Sequence, residues 1–194
     1  MKQAKVLNVA ELKRLGAVVE NTRHAVRNAT AVALSFYAGL RACEIAALKV
    51  GDVFELTGAV KDTIYLSAAQ TKGDDGSTVF VSKRLAVALR RYATAFPKKI
   101  ARPDDALIFS AKGTKFSAQT IVNLFGTLYN AAGITGASSH SGRRQFVTEL
   151  ANKAINPRVI QALARHKHLN TTMRYMDVND SKLRSAVDMV NYQL

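Results

Sequence analysis

Only one stretch of this chain abandons helical spacing, and that restricts the possible folds more than any other feature. Between residues 53 and 81 lie three short runs, 53–56, 63–67 and 78–81, rich in β-branched and aromatic residues. The turn-forming segments TGAVKD and QTKGDDGS separate them. This pattern predicts three antiparallel strands joined by tight turns. The flanking sequence reads as helix throughout. Asn8 is placed to cap a helix over 9–19, with Glu11 at the capping-box position. A second helix, 21–37, is rich in Ala and Val and stops at Gly39. A short one, 41–48, follows. Ser82 caps a helix that ends before Pro97, and KKIARPDDALIF reads as a connector with a short extended end. Ser117 opens a helix to 132 closed by Gly133. Ser139 or His140 opens another to about 154. Asn156-Pro157 is an N-cap with Pro at the first helical position, starting a helix to about 165. Asn170 or Thr171 caps a helix carrying Tyr175 about one turn in, and 179–194 is a final amphipathic helix. The expected fold is mainly α with a small three-stranded antiparallel sheet (α+β), in one domain over 1–194.

Charge points to the partner. Lys and Arg number 28 against 14 acids, a net charge of +14 over 194 residues. A surplus of this size calls for an anionic partner, with nucleic acid the leading candidate. An anionic membrane fits less well, because no basic amphipathic helix stands apart from the core patterns. An apolar fraction of 48% argues against disorder. The lone cysteine, Cys43, rules out an intramolecular disulfide. Its apolar helical context predicts a buried structural thiol. Four histidines show no zinc-site spacing, so no metal is expected. The N-terminus lacks a signal-peptide core and no span reaches membrane length, which makes the cytoplasm the expected location.

Five segments concentrate residues capable of chemistry. GLRACEIAAL places Arg41 at a helix start and Glu44 three residues on, on the same face. TKGDDGS puts Lys72 at a hairpin tip, where it can reach a ligand over the sheet or stay solvated. HSGRRQF sets His140 and Arg143 on one helical face. Two such cations side by side favour an anion between them, so phosphate is a natural occupant; a helix-capping His beside a surface Arg is the plainer alternative. ARHKHLNTT puts His166 at a helix junction, and TTMRYMDV holds Tyr175 beside Arg174. From His140 to Met176 there are seven Lys or Arg against one acid, Glu149, which would draw in a phosphodiester.

In this order the segments resemble the tyrosine recombinase, or phage integrase, family. They supply Arg within GLR-x-x-E, a hairpin Lys, H-x-x-R, a His nine residues before the Tyr, and T-T-x-x-Y. The match runs from VLNVAELKRL to the helix after Tyr175. The resemblance implies that family's catalytic-domain fold. It also implies a site-specific recombinase that cleaves and rejoins double-stranded DNA through a covalent 3′-phosphotyrosine, without a cofactor. Tyr175 is then the nucleophile, Arg41 and Arg143 hold the scissile phosphate, and Lys72 is the general acid. His140 and His166 handle the phosphate and protons, and Glu44 supports the architecture. Arg144, Arg165, Lys167 and Arg174 are expected DNA contacts.

The chemistry suits those residue types. Fixed guanidiniums stabilise charge on the non-bridging oxygens, each such contact contributing about 3–4 kcal/mol. Two cations and the positive end of a helix would favour a phenolate. Rejoining uses the energy of the covalent link, so no ATP is needed. Strand exchange requires four cuts, hence a homo-oligomer, a tetramer on two recombination sites. The tail 179–194, with Leu183, Val187, Met189, Val190 and Leu194, is expected either to pack on a neighbouring protomer or to dock on its own domain. Three departures from the family pattern stand out: Arg165 where Gly usually precedes the second His, Gly142 where Leu is common, and Arg144 where His often follows the Arg. Many members also carry an N-terminal DNA-clamping domain, which is expected to be absent from 1–194. A type IB topoisomerase-like relaxing enzyme and a non-catalytic DNA-binding regulator are the competing readings.

Overall fold

The computed structural model describes residues 3–71, 76–176 and 180–191. The chain divides into two compact units, Met1–Phe146 and Val147–Leu194.

The first unit opens with α1 (Val9–Glu20), and its predicted cap is present. Asn8 Oδ1 accepts the Glu11 N–H at 2.9 Å, and Glu11 Oε2 accepts the Asn8 N–H at 3.0 Å. Such a cap contributes about 1 kcal/mol. Next comes α2 (Ala25–Ala38), which begins four residues later than expected because 21–24 form turns. It ends at Gly39, with φ at +62°. A Cβ there would lie 2.7 Å from the Phe146 ring, so both the backbone and the neighbour call for glycine. Two short helices follow, α3 (Ala42–Ala47) and α4 (Val50–Val53).

The fold class is mainly helical with a small antiparallel sheet, as expected, but among the described residues that sheet has two strands. β1 (Thr63–Leu66) pairs with β2 (Ser77–Phe80) in the register Thr63 with Phe80 through Leu66 with Ser77. Alternation buries Ile64, Leu66 and Val79 and exposes Tyr65 and Phe80. The expected first strand, 53–56, does not join the sheet. Val53 ends α4, and Phe54 makes only an isolated bridge to Val60. The tight turn between them is the reason: the Glu55 N–H reaches the Ala59 carbonyl and the Gly58 N–H reaches that of Glu55, both at 2.8 Å. No room is left for a ladder.

α5 (Lys83–Ala95) starts on Ser82, whose Oγ accepts the Leu85 N–H at 3.2 Å. The expected connector begins with a helical turn, α6 (Pro97–Ile100), because proline at the first position is preset for helix. α7 (Ala118–Ala131) is capped by Ser117 and closed at Gly133, with φ at +63°. α2 packs on α1 and α5, and α7 packs on α3 and α1. Leu34, Leu40, Ile45, Leu48, Leu85, Leu89 and Phe125 are fully buried in this core. Each contributes roughly 1.5–3 kcal/mol by leaving water. Tyr92 is buried with them, donates to the Leu107 carbonyl at 2.6 Å, and has its pKa pushed well up by that burial.

α8 (Ser141–Asn152) carries the chain from the first unit into the second. The second unit continues with α9 (Pro157–Ala164), α10 (Leu169–Met173) and α11 (Asp180–Asp188), and α9 packs against α10. α11 is shorter than the expected 179–194, so Met189 and Val190 fall beyond its end. Leu183, Val187, Met189 and Val190 are all exposed, and Leu194 lies outside the described residues. No described helix is long and apolar enough to cross a membrane.

Candidate active site

In the first unit Arg41 precedes α3, on extended backbone with ψ at 159°. The Glu44 carboxylate accepts from both ends of Arg41. Oε2 takes the backbone N–H at 2.8 Å and Oε1 takes Nη1 at 2.7 Å. Glu44 is fully buried and Arg41 is partly exposed. A desolvated carboxylate thus holds one face of the guanidinium and fixes where its charge sits. Arg143, in the first turn of α8, reaches the same corner. Its Nη1 donates to the Gly39 carbonyl at 2.7 Å, two residues before Arg41. Two guanidiniums separated by about a hundred positions are so brought to one turn of chain.

His140 is exposed in the turn before α8, and its carbonyl accepts the Arg144 N–H at 2.9 Å. It is therefore the residue on which the helix starts, rather than a member of its interior. Lys72 lies outside the described residues. Cys43, expected to be buried, is only half-buried, because it sits on the side of α3 between buried Ala42 and Glu44.

The second unit holds the other pair. α9 ends at Arg165, whose φ of +54° is the left-handed conformation. The Arg165 N–H bonds the Ala162 carbonyl and the His166 N–H bonds that of Gln161, both at 3.0 Å. This is the helix-ending geometry that glycine adopts most cheaply. It explains why Gly is usual before this His, and the Arg165 departure keeps the conformation at some cost in strain. His166 is fixed in place as the residue after the cap. Its Nδ1 lies 2.8 Å from Thr172 Oγ1. The His166 and Tyr175 rings stack with centroids 6.3 Å apart and an 18° interplanar angle. Thr172 is fully buried and had no assigned role; its place in T-T-x-x-Y was the available signal.

Tyr175 does not lie inside a helix. α10 ends at Met173, and Tyr175 follows in a tightened final turn, its N–H on the Thr172 carbonyl at 3.0 Å. It sits past the negative end of α10, so this helix offers no positive pole to a phenolate. The paired threonines and five-residue length of α10 leave too little helix to carry it. Lys167 and Arg174 are exposed. Arg144 and Arg165 are half-buried and donate to the Ala4 and Leu163 carbonyls.

Residues 5–182 match the phage integrase family as a whole. The chain belongs to the phage integrase family. Among family relatives, the tyrosine recombinase XerD of Neisseria meningitidis serogroup A is 32% identical over 175 residues, covering 89% of this chain and 58% of that protein. The tyrosine recombinase XerA of Pyrococcus horikoshii is 28% identical, covering 95% of this chain and 60% of its own length. The chain thus spans about three-fifths of the length of these relatives. A crystal structure of XerA recombinase superposes on 99% of this chain and 68% of its own, with a TM-score of 0.73 and 27% identity.

Proposed function

We propose that this phage integrase family chain is the catalytic domain of a site-specific DNA recombinase that cleaves and rejoins strands through Tyr175. What carries the reading is the corner shared by Arg41, held by buried Glu44, and Arg143, bonded to the Gly39 carbonyl. Two fixed guanidiniums suit the non-bridging oxygens of a phosphodiester and the charge they gather in the transition state. Tyr175 Oη attacks the phosphorus, the bond to the 5′ oxygen breaks, and that oxygen takes a proton from Lys72. His166 and His140 serve the phosphate and the nucleophile's proton. Lys167, Arg174, Arg144 and Arg165 hold flanking phosphates. The reverse attack by a 5′ hydroxyl rejoins the strand, and no cofactor enters.

Recombination then needs several copies of the chain on two double-stranded sites, a tetramer for four cuts. The tail from α11 onward, with Leu183, Val187, Met189 and Val190 exposed, is the element that packs on a neighbouring protomer. DNA as the substrate makes the cytoplasm the working compartment.

The test uses a pool of nicked duplexes with randomised arms, so that no site need be known beforehand. The parent chain is expected to give an SDS-resistant protein–DNA adduct with a sequence consensus, and Tyr175→Phe to give none. An adduct from the Phe variant would remove Tyr175 as the nucleophile. Supercoil relaxation without a consensus would favour a relaxing enzyme.

A further inference from the structure

Resting on the function just proposed, we infer that residues 4–7 form a latch on the first turns of α8, and that Gln145 and Arg144 are positioning residues for Arg143. Five consecutive side positions of that helix are each engaged differently. Gly142 lies against Ser35 and Phe36 of α2, where a Cβ would come within 2.7 Å of the Phe36 ring. Arg143 bonds the Gly39 carbonyl, and Phe146 lies against Gly39 itself. The remaining two, Arg144 and Gln145, turn to the start of the chain. Gln145 Oε1 accepts the Leu7 N–H at 2.9 Å in a buried bond spanning 138 positions, and Arg144 Nη1 donates to the Ala4 carbonyl.

The segment is rooted at both ends. The Lys5 N–H reaches the Gly136 carbonyl at 3.1 Å, and Leu7 is 3% exposed. Lys5 Nζ pairs with Glu11 Oε1 at 2.6 Å, while Glu11 also closes the cap of α1. Residues 4–7 are therefore stapled to α1 on one side and to α8 on the other. Rotation of the helix about its axis would have to break the holds at 144 and 145 as well as those at 142, 143 and 146. The bonds from 144 and 145 oppose that rotation, which would swing the Arg143 guanidinium off the phosphate. A misplacement of about 1 Å at such a group costs up to about 100-fold in rate. Arg144 stands where the family often has His, and Gln145 accepts a backbone N–H that apolar side chains would leave unpaired. Both residues act through Arg143 and touch no reacting atom.

The experiment compares the full chain with Gln145→Leu, which removes the acceptor, and Gln145→Glu, which restores one. It reads amide exchange at Leu7, affinity for nicked DNA, and single-turnover cleavage at saturating protein. Gln145→Leu is expected to speed Leu7 exchange and slow cleavage about tenfold or more, with the dissociation constant within about twofold. Gln145→Glu should recover most of the rate. Faster exchange with unchanged cleavage would make the latch a structural strap and overturn the positioning role. Affinity lost in step with rate in Gln145→Leu would make Gln145 a DNA contact instead. Absence of adduct from the parent chain would overturn the functional reading and the positioning role together, while exchange at Leu7 would still report the latch.

Discussion

Gly142 sits where the family commonly has leucine, and its surroundings leave no room for one. A Cβ at this position would overlap Ser35 Oγ, on a serine that is itself fully buried. Gly142→Leu is therefore expected to destabilise the chain by about 1–3 kcal/mol or more through overpacking, read as a lower urea midpoint. An unchanged midpoint would mean that α2 and α8 can separate at little cost. The departures at 142, 144 and 165 thus have physical explanations that no single sequence displays. Each depends on what stands opposite: the side chains of α2 for Gly142, the carbonyl of Ala4 for Arg144, and the backbone of the cap itself for Arg165.

Among the described residues, three helices end with the same pair of bonds and a left-handed residue, at Gly133, Ala154 and Arg165. At the end of α8 the Ala154 N–H meets the Ala151 carbonyl at 3.1 Å and the Ile155 N–H that of Leu150 at 3.3 Å. An alanine at φ of +53° carries a Cβ penalty that glycine lacks. Ala154→Gly should therefore stabilise the chain by roughly 0.5–1 kcal/mol, visible as a higher melting temperature. A lower one would show that alanine's restriction of the unfolded chain outweighs the strain. Gly133 was legible as a stop because glycine advertises this conformation. The ends at Ala154 and Arg165 could be placed only approximately, since their residues prefer other backbone angles. The caps at Asn8, Ser82, Ser117 and Asn156 were legible for the opposite reason: a short polar side chain before an apolar period bonds its own backbone. The expected strand at 53–56 was misread because those residues carry strand-like side chains, while the turn after them allows only one bridge.

Acid response follows from ion pairs within the first unit, one of which, Arg91 with Glu20, joins residues 71 positions apart. Lys5 and the Asn8 cap hold the Glu11 carboxyl below its ordinary range, Arg91 does so for Glu20, and Lys99 for Asp105. Their folded values lie below the unfolded ones, so their stabilisation is fully present above the ordinary carboxylate range and is lost as pH falls through the folded values. Urea midpoints should drop as pH falls below about 5, with a shallower drop in Glu11→Gln. A drop of equal depth in that variant would remove Glu11 from the account. At the scale of the assembly, deleting 180–194 should weaken synapsis of two DNA sites and leave single-site binding mostly intact, measured by native gel shift. Equal loss of both would place the tail on its own protomer.

Residue order alone determined the helical class, the caps and the strongly basic charge. These depend on side chains acting on their own backbone or summing into net charge, and both survive without a partner segment. Tertiary structure decided that Arg143 meets the carbonyl of Gly39 beside Arg41, that Gln145 holds the amide of Leu7, and that Tyr175 follows its helix instead of riding on it. Those depend on contacts between segments up to 138 positions apart, where geometry is set by packing and no local pattern records it.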